Sequence, residues 1–378
     1  MDGVYLLTLF AFLTTVSASL LGPVEALYLK TLTRDLSKIG VVLGIAPIVF
    51  ILSSPLVGRL SDVLGRKRLL FMLSALGALG PILLVSSKNI VVYALFKILV
   101  SVSETSSVLA FALLGDMIEK RKRGGFLFGI YESGPSLGGV VGTFLSGYVA
   151  SFIGSLSTPY YISSVFSLLS IALLLRIPSE KRTRKKGGKI RRKLAPPLLA
   201  VWLLSFLFGL HMGMRYLIWP IIIEKMKGTQ LAPFYTSLTW TSMGLLAVLL
   251  LAFAGKLSDR YGAMKILFAG WLFSGVIGCL FYFPMDFFPF YLLSVLFSIG
   301  EVLKGPSSAD ISTRFTTPEN RGFVFGLLSS SGSFGSFLGP ILAGFLTEKF
   351  PVNTVLLFYG LLLLLPAFLT LYLMRDSL

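Results

Sequence analysis

The feature that limits the fold most is a succession of apolar runs, each long enough to cross a bilayer. A helix crossing the ~30 Å hydrocarbon layer needs roughly 20 mostly apolar residues. Runs of that kind fall near Val4–Tyr28, Ile39–Val57, Leu69–Ser86, Ile90–Gly115, Phe126–Ser151 and Tyr160–Ile177. A second set follows near Pro196–Ile223, Phe234–Ala254, Ile266–Phe283, Phe290–Ile311, Phe323–Leu346 and Val352–Met374. The short alternating segments of a membrane β-barrel do not occur. The expectation is an all-α membrane protein with twelve transmembrane helices in two groups of six. Only 13% of the residues are charged, against about 25% in soluble domains. That excludes a soluble enzyme, a disordered chain and a nucleic-acid-binding domain. The first run has neither a basic leader nor a cleavage site, and reads as a retained helix rather than a signal peptide.

The net charge of +17 is explained by where the basic residues lie. With the N-terminus inside, the outer loops hold only Lys30, Arg34, Lys38, Lys88, Lys225, Lys227 and Lys349. Nearly all other Lys and Arg residues fall in inner loops, so both termini are expected in the cytoplasm of a multi-pass plasma-membrane protein. The longest inner segment is SEKRTRKKGGKIRRKL at Ser179–Leu194. It carries no aromatic residue on which a base could stack. It reads as a linker that holds topology and touches anionic lipid headgroups, and nucleic acid is not expected as a partner. The expected organisation is an N-terminal bundle over 1–178, a linker over 179–195 and a C-terminal bundle over 196–378.

The second bundle repeats the first at a constant offset. GRLSDVLGRKR at Gly58–Arg68 lies over GKLSDRYGAMK at Gly255–Lys265, and GFLFG at Gly125–Gly129 over GFVFG at Gly322–Gly326. Gly138 falls on Gly335, Gly142 on Gly339, Pro23 on Pro220 and the mid-helix acid Glu104 on Glu301. Six spans return the chain to the same side, so the halves are parallel repeats about an axis along the membrane normal.

With its twelve spans, basic central loop and two copies of G-x-L-x-D-x-x-G, the chain resembles the major facilitator superfamily of secondary transporters. The resemblance implies two pseudo-symmetric six-helix bundles with a substrate site near the midplane between them. It also assigns a cytoplasmic gate motif to Gly58, Asp62, Gly65, Arg66 and Lys67, with Gly255 and Asp259 in the second copy. Asp62 would cap a neighbouring helix or pair with a basic residue there. The residue after Asp62 is Val63, where the family usually has a basic one. GIYESGPSLGG at Gly129–Gly139 is similar to the helix-5 signature of the drug:proton antiporter branch, through Gly129, Gly134, Pro135, Gly138 and Gly139. That likeness points to export. In the fourth span the family's arginine and glycine are replaced by Lys97 and Ser101.

An ionisable residue in the middle of a membrane helix costs about 2.5–3.5 kcal/mol on insertion scales, and mostly faces a partner or a cavity. The candidates are Glu25, Lys97, Glu104, Glu132, His211, Arg215, Glu301 and Lys304. Glu104 and Glu301 lie near the centres of their spans, with Lys304 one turn beyond Glu301 beside Gly305-Pro306. His211, Arg215 and Trp219 form a stripe at helical spacing. Carboxyls in low-dielectric clefts protonate nearer neutral pH, which suits exchange of a proton for a substrate cation. Proton and substrate coupling is therefore assigned to Glu104 and Glu301, with Glu132 and Glu25 assisting. His211, Arg215, Lys304, Lys97 and Trp219 are expected to line the cavity.

The expected function is proton-coupled export of amphiphilic or cationic small molecules by alternating access. The alternative is transport of an organic anion or phosphorylated metabolite, held by Arg215, Lys304, His211 and Lys97. A membrane receptor or scaffold that moves nothing is a third reading. With one cysteine, Cys279, one histidine, and neither a metal-ligand cluster nor a nucleotide-binding glycine loop, no enzyme, cofactor or metal is expected. A monomer whose partners are substrate, protons and lipid is expected.

Overall fold

Backbone groups in hydrocarbon have no water to bond, so each spanning segment must satisfy them within itself, as a helix does. The computed structural model describes residues 2–118, 124–177, 196–283, 286–314 and 321–375. Helical backbone meets each expected span, and no strand occurs among the described residues. The helices are α1 (Asp2–Ser19), α2 (Gly22–Leu32), α3 (Leu36–Leu64), α4 (Arg66–Val85), α5 (Ile90–Ser101), α6 (Ser106–Ile118) and α7 (Gly124–Tyr148). They continue as α8 (Thr158–Arg176), α9 (Pro196–Tyr261), α10 (Ala263–Leu280), α11 (Phe287–Arg314), α12 (Arg321–Lys349) and α13 (Val352–Arg375).

Two expected spans are broken. The first divides into α1 and α2 around Leu20–Leu21, because Pro23 cannot donate the hydrogen bond that would continue the helix. The Ser146 hydroxyl donates to the freed Leu20 carbonyl at 2.6 Å. The fourth span is interrupted by a 3₁₀ turn at Val102–Thr105, between α5 and α6. The tighter turn shifts the side chains after it onto a new face.

One expected loop is absent. The seventh and eighth spans run together in α9, which has 66 residues and a single non-helical position, Gly228, at φ 75° and ψ 162°. Glycine tolerates that left-handed φ because it has no Cβ, so one residue does the work expected of the polar stretch 224–233. Ten helical stretches among the described residues are long and apolar enough to cross a membrane. The one at Val201–Tyr261 spans 61 residues, far more than one crossing needs.

Contacts divide the described residues into two units, one within Met1–Lys185 and Lys227–Thr241, the other within Lys186–Met226 and Ser242–Leu378. In the first, α1 packs on α7 so closely that a Cβ at Gly134 or Gly138 would lie 2.5 Å from the Thr8 or Phe12 carbonyl oxygen. Small residues at such positions let membrane helices approach. The Ser17 hydroxyl links α1 to α8 through Ser163 at 2.8 Å and Ser167 at 2.7 Å. The second unit repeats the close approach, with Gly335 against the Phe206 carbonyl and Gly339 against that of Leu210.

The repeat extends to backbone conformation. Gly65 ends α3 at φ 89° and its repeat mate Gly262 ends α9 at φ 92°. Gly58 and Gly255, by contrast, lie inside the helices that lead into these turns.

Candidate functional site

Each unit contains a buried cluster of charge. In the first, Glu25 stands in the opening turn of α2, where the positive end of the helix favours an acid. Its Oε1 accepts from Lys97 Nζ of α5 at 2.8 Å and from the Tyr93 hydroxyl at 2.9 Å. Tyr93 and Tyr160 place their hydroxyls 3.1 Å apart, and the Tyr28 ring lies tilted against that of Tyr160, with centres 5.0 Å apart. Glu25 is 2% and Lys97 7% exposed. Burial at that level makes the pair mutually dependent, since either charge alone would be stranded.

In the second unit, Glu301 and Lys304 form an ion pair within one turn of α11. The Ser274 hydroxyl of α10 donates to Glu301 Oε1 at 3.4 Å. His211 of α9 lies with Nε2 3.5 Å from Glu301 Oε2 and Nδ1 3.4 Å from the Tyr359 hydroxyl of α13. The His211–Glu301 approach lacks hydrogen-bond geometry. The Lys304 ammonium rests 3.9 Å from the centre of the Trp271 ring, with Phe208 at 5.7 Å and Phe297 at 6.0 Å. Aromatic faces attract a desolvated cation by about 2 kcal/mol. Arg215 lies over the Trp219 ring at 5.2 Å. Trp219 is itself fully buried against Phe281, Phe290 and Phe297.

The repeat mates Glu104 and Glu301 differ. Glu301 is three-quarters or more enclosed and paired, whereas Glu104 is exposed on its 3₁₀ turn. Glu132 is likewise exposed, on α7 near Pro135. No group of three His, Cys, Asp or Glu residues capable of holding a metal ion occurs among the described residues.

The model of the Major Facilitator Superfamily matches residues 7–213 and 201–377. The chain belongs to the Major Facilitator Superfamily. It is 26% identical over 368 residues to the uncharacterized MFS-type transporter YuxJ of Bacillus subtilis (strain 168), covering 90% of this chain and 91% of that protein. It is 24% identical over 368 residues to the quinolone resistance protein NorA of Staphylococcus aureus (strain COL), covering 91% and 90%. Its fold is similar to the crystal structure of nucleoside transporter NupG, with a TM-score of 0.81, 17% identity, and 99% and 100% of the two chains covered. The protein is thus a multi-pass membrane transporter of the superfamily, with relatives in the multidrug efflux branch.

In the turn after α3, Arg66 Nη1 donates to the Ala112 carbonyl at 2.5 Å. Lys67 donates to the carbonyls of Ile177 and Leu175, the latter at 3.4 Å, closing the end of α8. Cations at a helix C-terminus satisfy carbonyls that have no intrahelical partner. Asp62 is on α3 with its side chain outside the described residues, and Asp259 is exposed on α9. Along Gly129–Gly139, Gly134 and Gly138 form the α1 contact, a Cβ at Gly139 would lie 3.9 Å from Ser19 Oγ, and Gly129 faces open space. The linker 179–195 lies outside the described residues. The sequence reading missed Tyr93, Tyr160, Trp271, Ser274 and Tyr359. Only Tyr93, one turn before Lys97, carried a signal by spacing.

Proposed function

We propose that the protein is a proton-coupled exporter of amphiphilic, cationic small molecules, working by alternating access in the plasma membrane with both termini cytoplasmic. The two six-span halves, joined by the basic linker, act as the moving bodies. The observation that carries the reading is the contrast between the repeat-related acids. Glu104 is exposed, while Glu301 is held by Lys304 and flanked by His211. An open carboxylate can take either a proton or a substrate cation, and that competition couples the two fluxes. Glu301 exchanges partners more slowly, because a proton or substrate cation must first displace the Lys304 ammonium. Glu25, engaged by Lys97, and the exposed Glu132 assist by setting the local field.

The quinolone resistance protein among its relatives also supports export of amphiphiles. The organic-anion alternative loses most of its clamp, since Lys97 and Lys304 are bound to acids and His211 is beside one.

Reconstituted protein tests this. A pH gradient across proteoliposomes should drive uptake of a fluorescent lipophilic cation. Glu104→Gln and Glu301→Gln should each abolish the driven component while leaving folded yield near normal. Wild-type coupling in both variants would remove these roles.

A further inference from the structure

Of the three basic residues that open α4, two are engaged within the protein. Arg66 donates to the Ala112 carbonyl, and Lys67 to those of Leu175 and Ile177 at the end of α8. The third, Arg68, is exposed. Arg176, the last residue of α8, is exposed as well. No carboxylate among the described residues lies within ion-pair distance of either arginine.

The Lys67 bonds make these two arginines neighbours. Arg68 follows Lys67, and Arg176 stands between the two residues whose carbonyls Lys67 reaches. Because α8 ends where α4 begins, both arginines stand at one end of the packed pair. Lys67 already satisfies the last carbonyls of α8, so neither arginine is needed for them. Two like charges brought close repel each other unless an anion lies between them.

Each arginine also heads an apolar stripe. By helical spacing, Met72 and Leu79 share the face of Arg68 on α4, and Leu169 and Val165 that of Arg176 on α8. All four are more than half exposed. On helices long and apolar enough to span a bilayer, such stripes meet acyl chains. Arginines and stripes together fit a molecule with an anionic head and hydrocarbon tails. A phosphodiester suits the head, since guanidinium groups grip phosphate with paired N–H donors. Basic groups between spanning helices collect anionic lipid headgroups in this way. A soluble anion would leave the stripes unused.

We propose that Arg68 and Arg176 hold the phosphate of an anionic phospholipid whose acyl chains lie along the exposed faces of α4 and α8. The site is separate from the linker at 179–195 and from both buried charge clusters. It rests on the chain's spanning a membrane, and on neither export nor proton coupling.

The experiment is native mass spectrometry of the full chain in micelles, titrated with phosphatidylglycerol or phosphatidylcholine bearing the same acyl chains. In phosphatidylcholine the choline cation cancels the charge of the phosphate. The wild type should bind its first phosphatidylglycerol about tenfold more tightly than phosphatidylcholine. Arg68→Gln/Arg176→Gln should bind the two lipids alike while keeping its helical circular dichroism. Arg191→Gln/Arg192→Gln, which removes the same charge from the linker, should keep the preference. Arg68→Lys/Arg176→Lys keeps the charge but loses the forks. It should retain part of the preference, and it serves if the first glutamine variant does not fold. Three results would overturn the proposal: equal binding of the two lipids by the wild type, an undiminished preference in either Arg68/Arg176 variant, or a preference lost equally in the linker variant. Inorganic phosphate that displaces the lipid at equal concentration would assign the arginines to a soluble anion and overturn it as well.

Discussion

Replacing Lys97 by Met removes the cation from a cluster that cannot easily hold its acid alone. In the native chain Glu25 Oε1 accepts from Lys97 at 2.8 Å and from Tyr93 at 2.9 Å, inside a site closed by Tyr160. The methionine fills a similar volume, so the loss is mainly electrostatic. Removing one partner of a buried pair costs about 3–5 kcal/mol, because the remaining charge stays desolvated. Glu25→Gln should cost a similar amount by stranding the ammonium. The double variant Glu25→Gln/Lys97→Met buries neither charge, and should recover all but about 1 kcal/mol of the native stability. The assay is a double-mutant cycle read by helical circular dichroism during chemical unfolding in micelles. Asp35 and Lys38 supply the control. Their ion pair measures 3.0 Å, but the Lys38 side chain is 64% exposed, and such pairs contribute about 0–1 kcal/mol. If the losses at Glu25 and Lys97 simply add, the two groups do not stabilise each other and the account of the first cluster is wrong.

The remaining expectations concern packing and turns. Gly138→Leu should cut folded yield severely, because even its Cβ would collide with the Phe12 carbonyl on a backbone that cannot retreat; a normal yield in size-exclusion profiles would contradict the α1–α7 packing. Gly65→Ala should cost roughly 1 kcal/mol or more through its left-handed φ. Gly58→Ala, inside α3 with open space around it, should leave thermal stability unchanged or raised; the reverse order in melting experiments would refute the turn assignment. Trp271→Leu should loosen Lys304 by about 2 kcal/mol of cation–π attraction, seen as lower stability that Lys304→Met cancels. Equal losses in the Lys304 and Lys304→Met backgrounds would remove that contact from the account.

Much of the fold was legible because hydrocarbon imposes a simple length rule, and because the repeat supplies its own cross-check. The paired turns at Gly65 and Gly262 follow from two copies of one motif. The break at Gly228 was not legible, since the polar residues around it look the same whether they form a loop or continue a helix. Nor was the partnership of Glu25 with Lys97, two residues on different helices that no local pattern connects. The sequence also treats Glu104 and Glu301 as equivalents. Their divergence comes from their neighbours: Lys304 follows Glu301 by one turn, whereas Ser107 occupies the matching place after Glu104. Trp219 reads as cavity lining from its stripe, yet three phenylalanines on two other elements enclose it.

The central claim is that substrate and proton compete for shared carboxylates. Its most direct measurement is the internal pH of sealed proteoliposomes when a lipophilic cation is added outside with no gradient imposed. The account predicts proton movement opposite to the cation, absent in Glu104→Gln. Entry of the cation through the wild-type protein with no change in internal pH would contradict it.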